Sequence, residues 1–218
     1  MGAAVQTRRE TPPPLPEADL VDLRFRALLP EADWVALPAA VRRRFSKRMA
    51  HGATVVYRGD VVTVEAHPLG RLLAHAARLI GGPLPLVFQP GASIVTVTED
   101  PVGQGQVWTR LYVRPNGFPQ VIHSAKRFAG PTGLEEHLGA GVGMALKVAA
   151  GEAGLVFRSA FYFVTLLGLR LRLPGWMEPG ALTIVHRDLG EGRFAFTLDL
   201  EHPVLGRLLG QEAVFHDA

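Results

Sequence analysis

The stretch from Gly154 to Pro174, GLVFRSAFYFVTLLGLRLRLP, is the most apolar and aromatic part of the chain, and it constrains what the rest can build. Read with period two, Leu155, Phe157, Ser159, Phe161, Phe163 and Thr165 share one face, and Val156, Arg158, Ala160, Tyr162, Val164 and Leu166 share the other. Both faces are largely apolar, which predicts a central strand covered on both sides. Past Gly168 the pattern turns to strict alternation, with Leu169, Leu171 and Leu173 on one side and Arg170 and Arg172 on the other. That predicts a half-buried strand with a wet outer face. The uncharged run between Arg158 and Arg170 is far shorter than the roughly 20 apolar residues a spanning helix needs. We read the stretch as core, with no transmembrane segment.

Composition narrows the function classes. The chain has 218 residues, 48% hydrophobic and 20% charged, with a net charge of +3, which suits a globular protein with a real core. No dense basic run is interleaved with aromatics, so nucleic acid is not an expected partner. The absence of cysteine excludes disulfides, thiol catalysis and cysteine–metal sites. Near the N-terminus Arg8, Arg9 and Glu10 precede prolines where a signal peptide would carry an apolar run, so the expectation is an unexported, cytoplasmic protein.

Residues 1–16, ending in TPPPLP, read as a disordered lead or linker, and 17–218 as a single helix-plus-barrel domain. A helix is expected over Glu17–Leu29, stopped by Pro30. A second helical region is expected over Glu31–Met49, interrupted at Pro38, with Trp34, Leu37, Val41 and Phe45 inward and Arg42, Arg43, Arg44, Lys47 and Arg48 as a solvated face. Ala53–Ala66 reads as a hairpin turning at Arg58-Gly59-Asp60. Leu69–Ile80 reads as a helix burying Leu72, Leu73, Ala76 and Leu79–Ile80. From Leu84 onward, strands at Leu84–Phe88, Ile94–Thr98, Gln106–Val113, Pro119–Phe128, Val142–Ala149, Leu155–Leu166, Leu169–Leu173, Leu182–Arg187, Phe194–Glu201 and Leu208–Phe215 alternate with Gly- and Pro-rich links. Such spacing marks an antiparallel sandwich or barrel. The predicted fold is α+β and mainly antiparallel β: a large barrel or strongly curved sheet, lipocalin-like in general shape, with two or three N-terminal helices packed against it or plugging one end.

Several segments occur in an order that marks a family. They are Trp108-Thr109-Arg110, Glu135 with His137-Leu138-Gly139, Leu166-Leu167-Gly168-Leu169, Leu173-Pro174-Gly175-Trp176-Met177-Glu178-Pro179, Phe194-Ala195-Phe196 and His202-Pro203-Val204-Leu205-Gly206. From about Phe25 to the C-terminus the chain resembles the bacterial domain-of-unknown-function family 4166, whose members occur alone or downstream of saccharopine-dehydrogenase-like domains. The resemblance implies a domain that works beside an oxidoreductase partner, and it implies no cofactor or catalytic residue. The chain departs from the family pattern at Glu135-Glu136-His137.

No histidine pair has metal-ligand spacing, and Ser159 lacks a nucleophile elbow, so neither a metal nor a cofactor is expected. Glu135 and Glu136 are adjacent and diverge on a strand. Lys126 and Lys147 lie in apolar strands, where an inward amine has a lowered pKa. The reading that accommodates most residues is a barrel holding a small apolar or amphiphilic molecule. Phe157, Phe161 and Phe163, or Tyr162 on the other face, would wall it, and Trp108, Arg110, His123 and Arg158 would orient its polar end. The candidate ligand-binding residues are therefore Trp108, Arg110, His123, Arg158, Phe161 and Tyr162, with no catalytic residue assigned. One alternative is an enzyme using Lys126, His123 and Glu136 inside the cavity, and a cluster of titratable groups there would favour it. The other is an accessory module for a dehydrogenase-like partner, which a broad exposed apolar patch on a filled barrel would favour.

Overall fold

A computed structural model describes residues 21–47, 49, 52–152 and 154–217. The expected lead over 1–16 lies outside the described residues, as does the start of the expected Glu17–Leu29 helix. Two short helices, α1 (Glu31–Ala36) and α2 (Ala39–Phe45), come first, then strand β1 (Thr54–Ala66) and helix α3 (Pro68–Ala76). Ten more strands follow: β2 (Gly91–Asp100), β3 (Gly105–Tyr112), β4 (Gln120–Arg127), β5 (Leu134–Gly139), β6 (Val142–Gly151), β7 (Gly154–Leu166), β8 (Leu169–Arg172), β9 (Ala181–Gly190), β10 (Arg193–His202) and β11 (Gly206–His216). Every pairing is antiparallel, and each strand joins its neighbour in sequence except that β9 bypasses β8 to pair with β7. β1 pairs with β11 and β6 with β7, so ten strands close into an up-and-down barrel with β8 as an outrigger. Closure leaves no exposed sheet edge around the ring.

The two ends of this barrel are built differently. At the end where β1 starts and β11 finishes, α1 and α2 form a floor. Trp34, Leu37, Val41 and Phe45 are all buried there, as their spacing predicts. Phe25 and Phe45 meet edge to face at 5.1 Å, and Phe45 lies 5.8 Å from Phe157 of the barrel wall. The connections after β1, β3, β7, β8 and β10 lie at the other end, with α3 across it. We call that end the mouth.

Several expectations are corrected. Residues 21–29 hold no α-helix: Val21 bridges to Lys47, the Asp22 amide donates to the Ser46 carbonyl at 2.7 Å, and a single 3-10 turn spans Arg26–Leu28. Tertiary pairing overrides the local helical pattern. Arg58-Gly59-Asp60 is no turn but the middle of β1, paired on both sides. A methyl group at Gly59 would fall 1.9 Å from the Val214 carbonyl oxygen, so glycine serves close strand approach there. Leu84–Phe88 is loop, its backbone satisfied by Gln120, which accepts from Leu86 N at 2.7 Å and donates to the Leu84 carbonyl at 3.1 Å. Residues 134–139, which fall outside the expected strands, form β5. Helix α3 rests on the barrel through Gly70 and Ala74, and its expected core residues Leu72 and Leu79 face water.

The most consequential correction falls in β7. Ala145 of β6 pairs with Phe161 and Leu146 with Ser159, so Ala160 is an extra residue that bulges out of the ladder. A bulge swaps the two faces beyond it. Leu155 and Phe157 point inward below it and Tyr162 and Val164 above it, while Phe161 and Phe163 turn outward beneath the guanidinium groups of Arg172 and Arg170 at 4.5 and 3.7 Å. In β8 the arginines therefore pack on the barrel, and Leu169 and Leu171, expected in the core, are exposed. Of the three leucines on this face only Leu173, just past β8, reaches the cavity lining.

Candidate functional site

The barrel encloses a cavity of about 430 Å³, within the range of small-molecule sites. Its lining is mostly apolar: Phe157, Tyr162 and Val164 of β7, Met144 of β6, Ile184 of β9, and Phe196 and Leu198 of β10. Leu79, Ile80 and Met177 line it at the mouth.

One wall differs. The inward residues of β3 are Gln106, Trp108, Arg110 and Tyr112, and those of β4 are Gln120, Ile122, Ser124 and Lys126. Period-two geometry places them side by side: Trp108 pairs with Ser124, and Lys126 with Glu136 of β5. The Glu136 carboxylate is buried at the centre of this group. Its Oε1 accepts from Ser124 Oγ at 2.7 Å and from Arg110 Nη2 at 3.0 Å, and its Oε2 accepts from Lys126 Nζ at 3.0 Å. Arg110 Nη2 also donates to Ser124 Oγ at 2.8 Å. The Lys126 ammonium sits 5.0 Å from the Trp108 ring, whose Nε1 donates to Gln106 at 3.2 Å.

Burial alone would push the Glu136 carboxyl up, but the charges of Lys126 and Arg110 and the hydrogen bonds from Ser124 and Lys126 outweigh it and hold Glu136 at about 2. Loss of water lowers the Lys126 amine below its ordinary value and the Arg110 charge adds to that, while the charge and hydrogen bond of Glu136 oppose both and favour the ammonium. The cluster is thus an ionised carboxylate shared by two cations, with one positive charge in excess. Across the cavity Tyr112 donates its hydroxyl to Gln211 Oε1 at 3.2 Å, and Gln211 Nε2 is buried without a partner.

Of the six ligand-binding candidates, the barrel brings Trp108, Arg110 and Tyr162 together on the cavity. His123 lies on the outer face, with its Nδ1 3.0 Å from Thr109 Oγ1, and Arg158 is exposed on the outer wall. Phe161 is outside because of the bulge. Among the alternative trio, Lys126 and Glu136 share the cavity and His123 does not. Glu135 and Glu136 diverge: Glu135 faces out, with Arg170 Nη2 2.5 Å from its Oε1, an ion contact rather than a directed hydrogen bond. Sequence reasoning missed Ser124, Tyr112 and Gln211 as partners of the cavity. The signal for Ser124 was its parity with Lys126 along β4. Among the described residues no group of three or more His, Asp or Glu side chains can hold a metal ion, and no helix is long and apolar enough to cross a membrane.

A family model described as Domain of unknown function (DUF4166) matches residues 37–215, which covers the barrel and all of its cavity wall. The chain belongs to this family. Within the DUF4166 match lie the mouth connections and the Arg110–Ser124–Lys126–Glu136 cluster, whereas Phe25 and α1 precede it. A search of curated proteins finds no match to the chain.

Proposed function

We propose that the barrel binds a small apolar molecule with one anionic end, its tail among Phe157, Met144, Val164 and Leu198 and its charge beside Arg110 and Lys126. The observation that carries this reading is the charge imbalance of the wall: two cations share a single carboxylate inside an otherwise apolar cavity. Lys126 is sealed and paired with Glu136, so the surplus charge sits on the partly solvated Arg110 at the cavity, where a ligand carboxylate would meet it. Arg110 presents further N–H donors in a fixed fork, and Gln211 Nε2 offers one more.

The test compares a medium-chain carboxylic acid with its methyl ester by thermal shift, alongside native mass spectrometry of the purified chain. The acid should raise Tm and the ester should not. If neither does, and nothing apolar co-purifies, the reading is wrong.

Lys126 favours a second reading, as an amine that in its neutral form condenses with a carbonyl substrate, forming a C=N bond as the carbonyl oxygen leaves as water. The ionised pair places it second, because a protonated amine is no nucleophile. Borohydride reduction in the presence of aldehydes would leave a covalent mass on Lys126 if the reading holds. Service to an oxidoreductase partner rests on the company that the family keeps.

A further inference from the structure

Five connections at the mouth each push a large apolar side chain into water. Leu79 closes the segment after α3, Phe118 lies between β3 and β4, Leu167 turns β7 into β8, Trp176 precedes β9, and Val204 turns β10 into β11. They are between 83 and 95% exposed. Single apolar residues on a surface are ordinary. Here they gather at one end, while the outer walls carry exposed Arg58, Lys147, Arg158 and Arg187. At the floor only Val102 is comparably exposed among the described residues.

The same end carries cations that lack acidic neighbours. A groove of about 550 Å³ between α3 and the β3–β4 connection is lined by His75, Arg78 and Arg114 with Leu86, Phe88 and Asn116, and no carboxylate is among its described lining. Neither arginine has an ion pair among the described residues. A guanidinium fork matches a phosphate, and near an anionic leaflet each such residue strengthens binding about fivefold.

We propose that the mouth docks on an anionic phospholipid surface, the five tips entering the interfacial layer and the His75–Arg78–Arg114 groove taking a lipid phosphate. The tips are single side chains on separate loops rather than one packed patch, which suits a fluid interface better than the close-packed core of a protein contact. A tryptophan at the tip fits the headgroup level. The docking does not rest on the ligand reading, since it is measured whatever the cavity holds. Where both hold, the cavity opens toward the layer from which an amphiphile is drawn.

The test mixes the full chain with vesicles of phosphatidylcholine alone and of phosphatidylcholine with an equal part of phosphatidylglycerol. Sedimentation with the anionic vesicles only is expected. Trp34 and Trp108 are buried, so the shift of tryptophan emission to shorter wavelength on docking belongs to Trp176. The double variant L167D/W176D, at exposed positions that leave Tm unchanged, should bind about tenfold or more weakly. R78Q and R114Q should each lose about fivefold. Failure of the unmodified chain to sediment with anionic vesicles overturns the proposal, as does equal binding to both compositions or full retention by L167D/W176D. Self-association that L167D/W176D abolishes, with no vesicle binding, assigns the tips to a second copy and overturns it too.

Discussion

Among the buried charge clusters of the described residues, those of the floor and of the cavity wall have opposite balances. In the floor, the Arg44 guanidinium serves two carboxylates, donating to Asp217 at 2.6 and 2.8 Å and to Asp188 at 2.9 Å while lying 4.5 Å over the Phe194 ring. In the cavity wall, Glu136 serves two cations. Both aspartates retain some contact with water, so the floor cluster sheds its excess negative charge into solvent and ties α2 to the ends of β9 and β11. In the wall Glu136 and Lys126 are both sealed from solvent, and Arg110, about as exposed as Asp188, turns the cluster's excess positive charge toward the cavity that it lines. A cluster that closes on itself holds structure, and one left unbalanced toward a cavity is placed to meet a ligand.

The largest effect expected is from Glu136→Ala. It strands Lys126 and Arg110 in the wall and should cost about 3–5 kcal/mol of unfolding free energy in urea titration. Because Glu136 is held at about 2, below its usual value, the stability it contributes is full above about pH 4.5 and is lost as pH falls toward 2. A loss under 1 kcal/mol would mean that the pair is weakly coupled and the wall is wetter than its burial implies.

Between the clusters lies His186, buried with neither ring nitrogen partnered and packed 4.9–5.0 Å from the rings of Phe45, Phe194 and Phe196. Loss of water, then the Arg44 charge, holds it neutral, with a pKa of about 3. The unfolded chain takes up this proton near pH 6.5, so stability is full above that and falls as pH drops toward 3, by about 2–3 kcal/mol at pH 4.5. His186→Phe should remove most of the slope between pH 6.5 and 4.5, leaving what His137 contributes, since burial lowers that ring too. The measurement is Tm against pH. An unchanged slope would place the acid sensitivity elsewhere.

Much of the fold was legible because its signals are local. Period-two runs, Gly- and Pro-rich links and the Trp34–Phe45 spacing depend on neighbours in sequence, and they yield the barrel and its floor. What escaped reading was set by distant partners. The Ala160 bulge exists only against β6, and nothing in residues 154–166 alone says where the faces swap, so strict period two puts Phe161 on the same side as Phe157. Arg44 read as solvated because its carboxylates lie more than a hundred residues away. β5 was missed because Leu134–Gly139 is short and carries Glu135, Glu136 and His137, a polar run that pays no visible debt to a core until β4 and β6 flank it. The cavity cluster was half legible: Lys126 and Glu136 stood out as charges in apolar surroundings, but their meeting needed the β4–β5 register.

Arg44→Met sharpens the contrast between the clusters. It leaves Asp188 and Asp217 unpaired, yet both are close enough to water to rehydrate, so the cost should be about 1–3 kcal/mol, below that of Glu136→Ala. The smallest effect on stability belongs to Arg110→Met, because Arg110 is partly solvated and Lys126 still neutralises Glu136. Its cost should stay under about 1 kcal/mol. The same substitution removes the wall's excess charge and should weaken carboxylate binding about tenfold, bringing the acid toward the ester, which raises Tm in neither protein. Calorimetric titration of Arg44→Met and Arg110→Met with the same acid separates the two roles. If Arg44→Met weakens the acid as much as Arg110→Met does, the balance of charge in the wall is not what selects the ligand, and the distinction between a structural cluster and a binding one collapses.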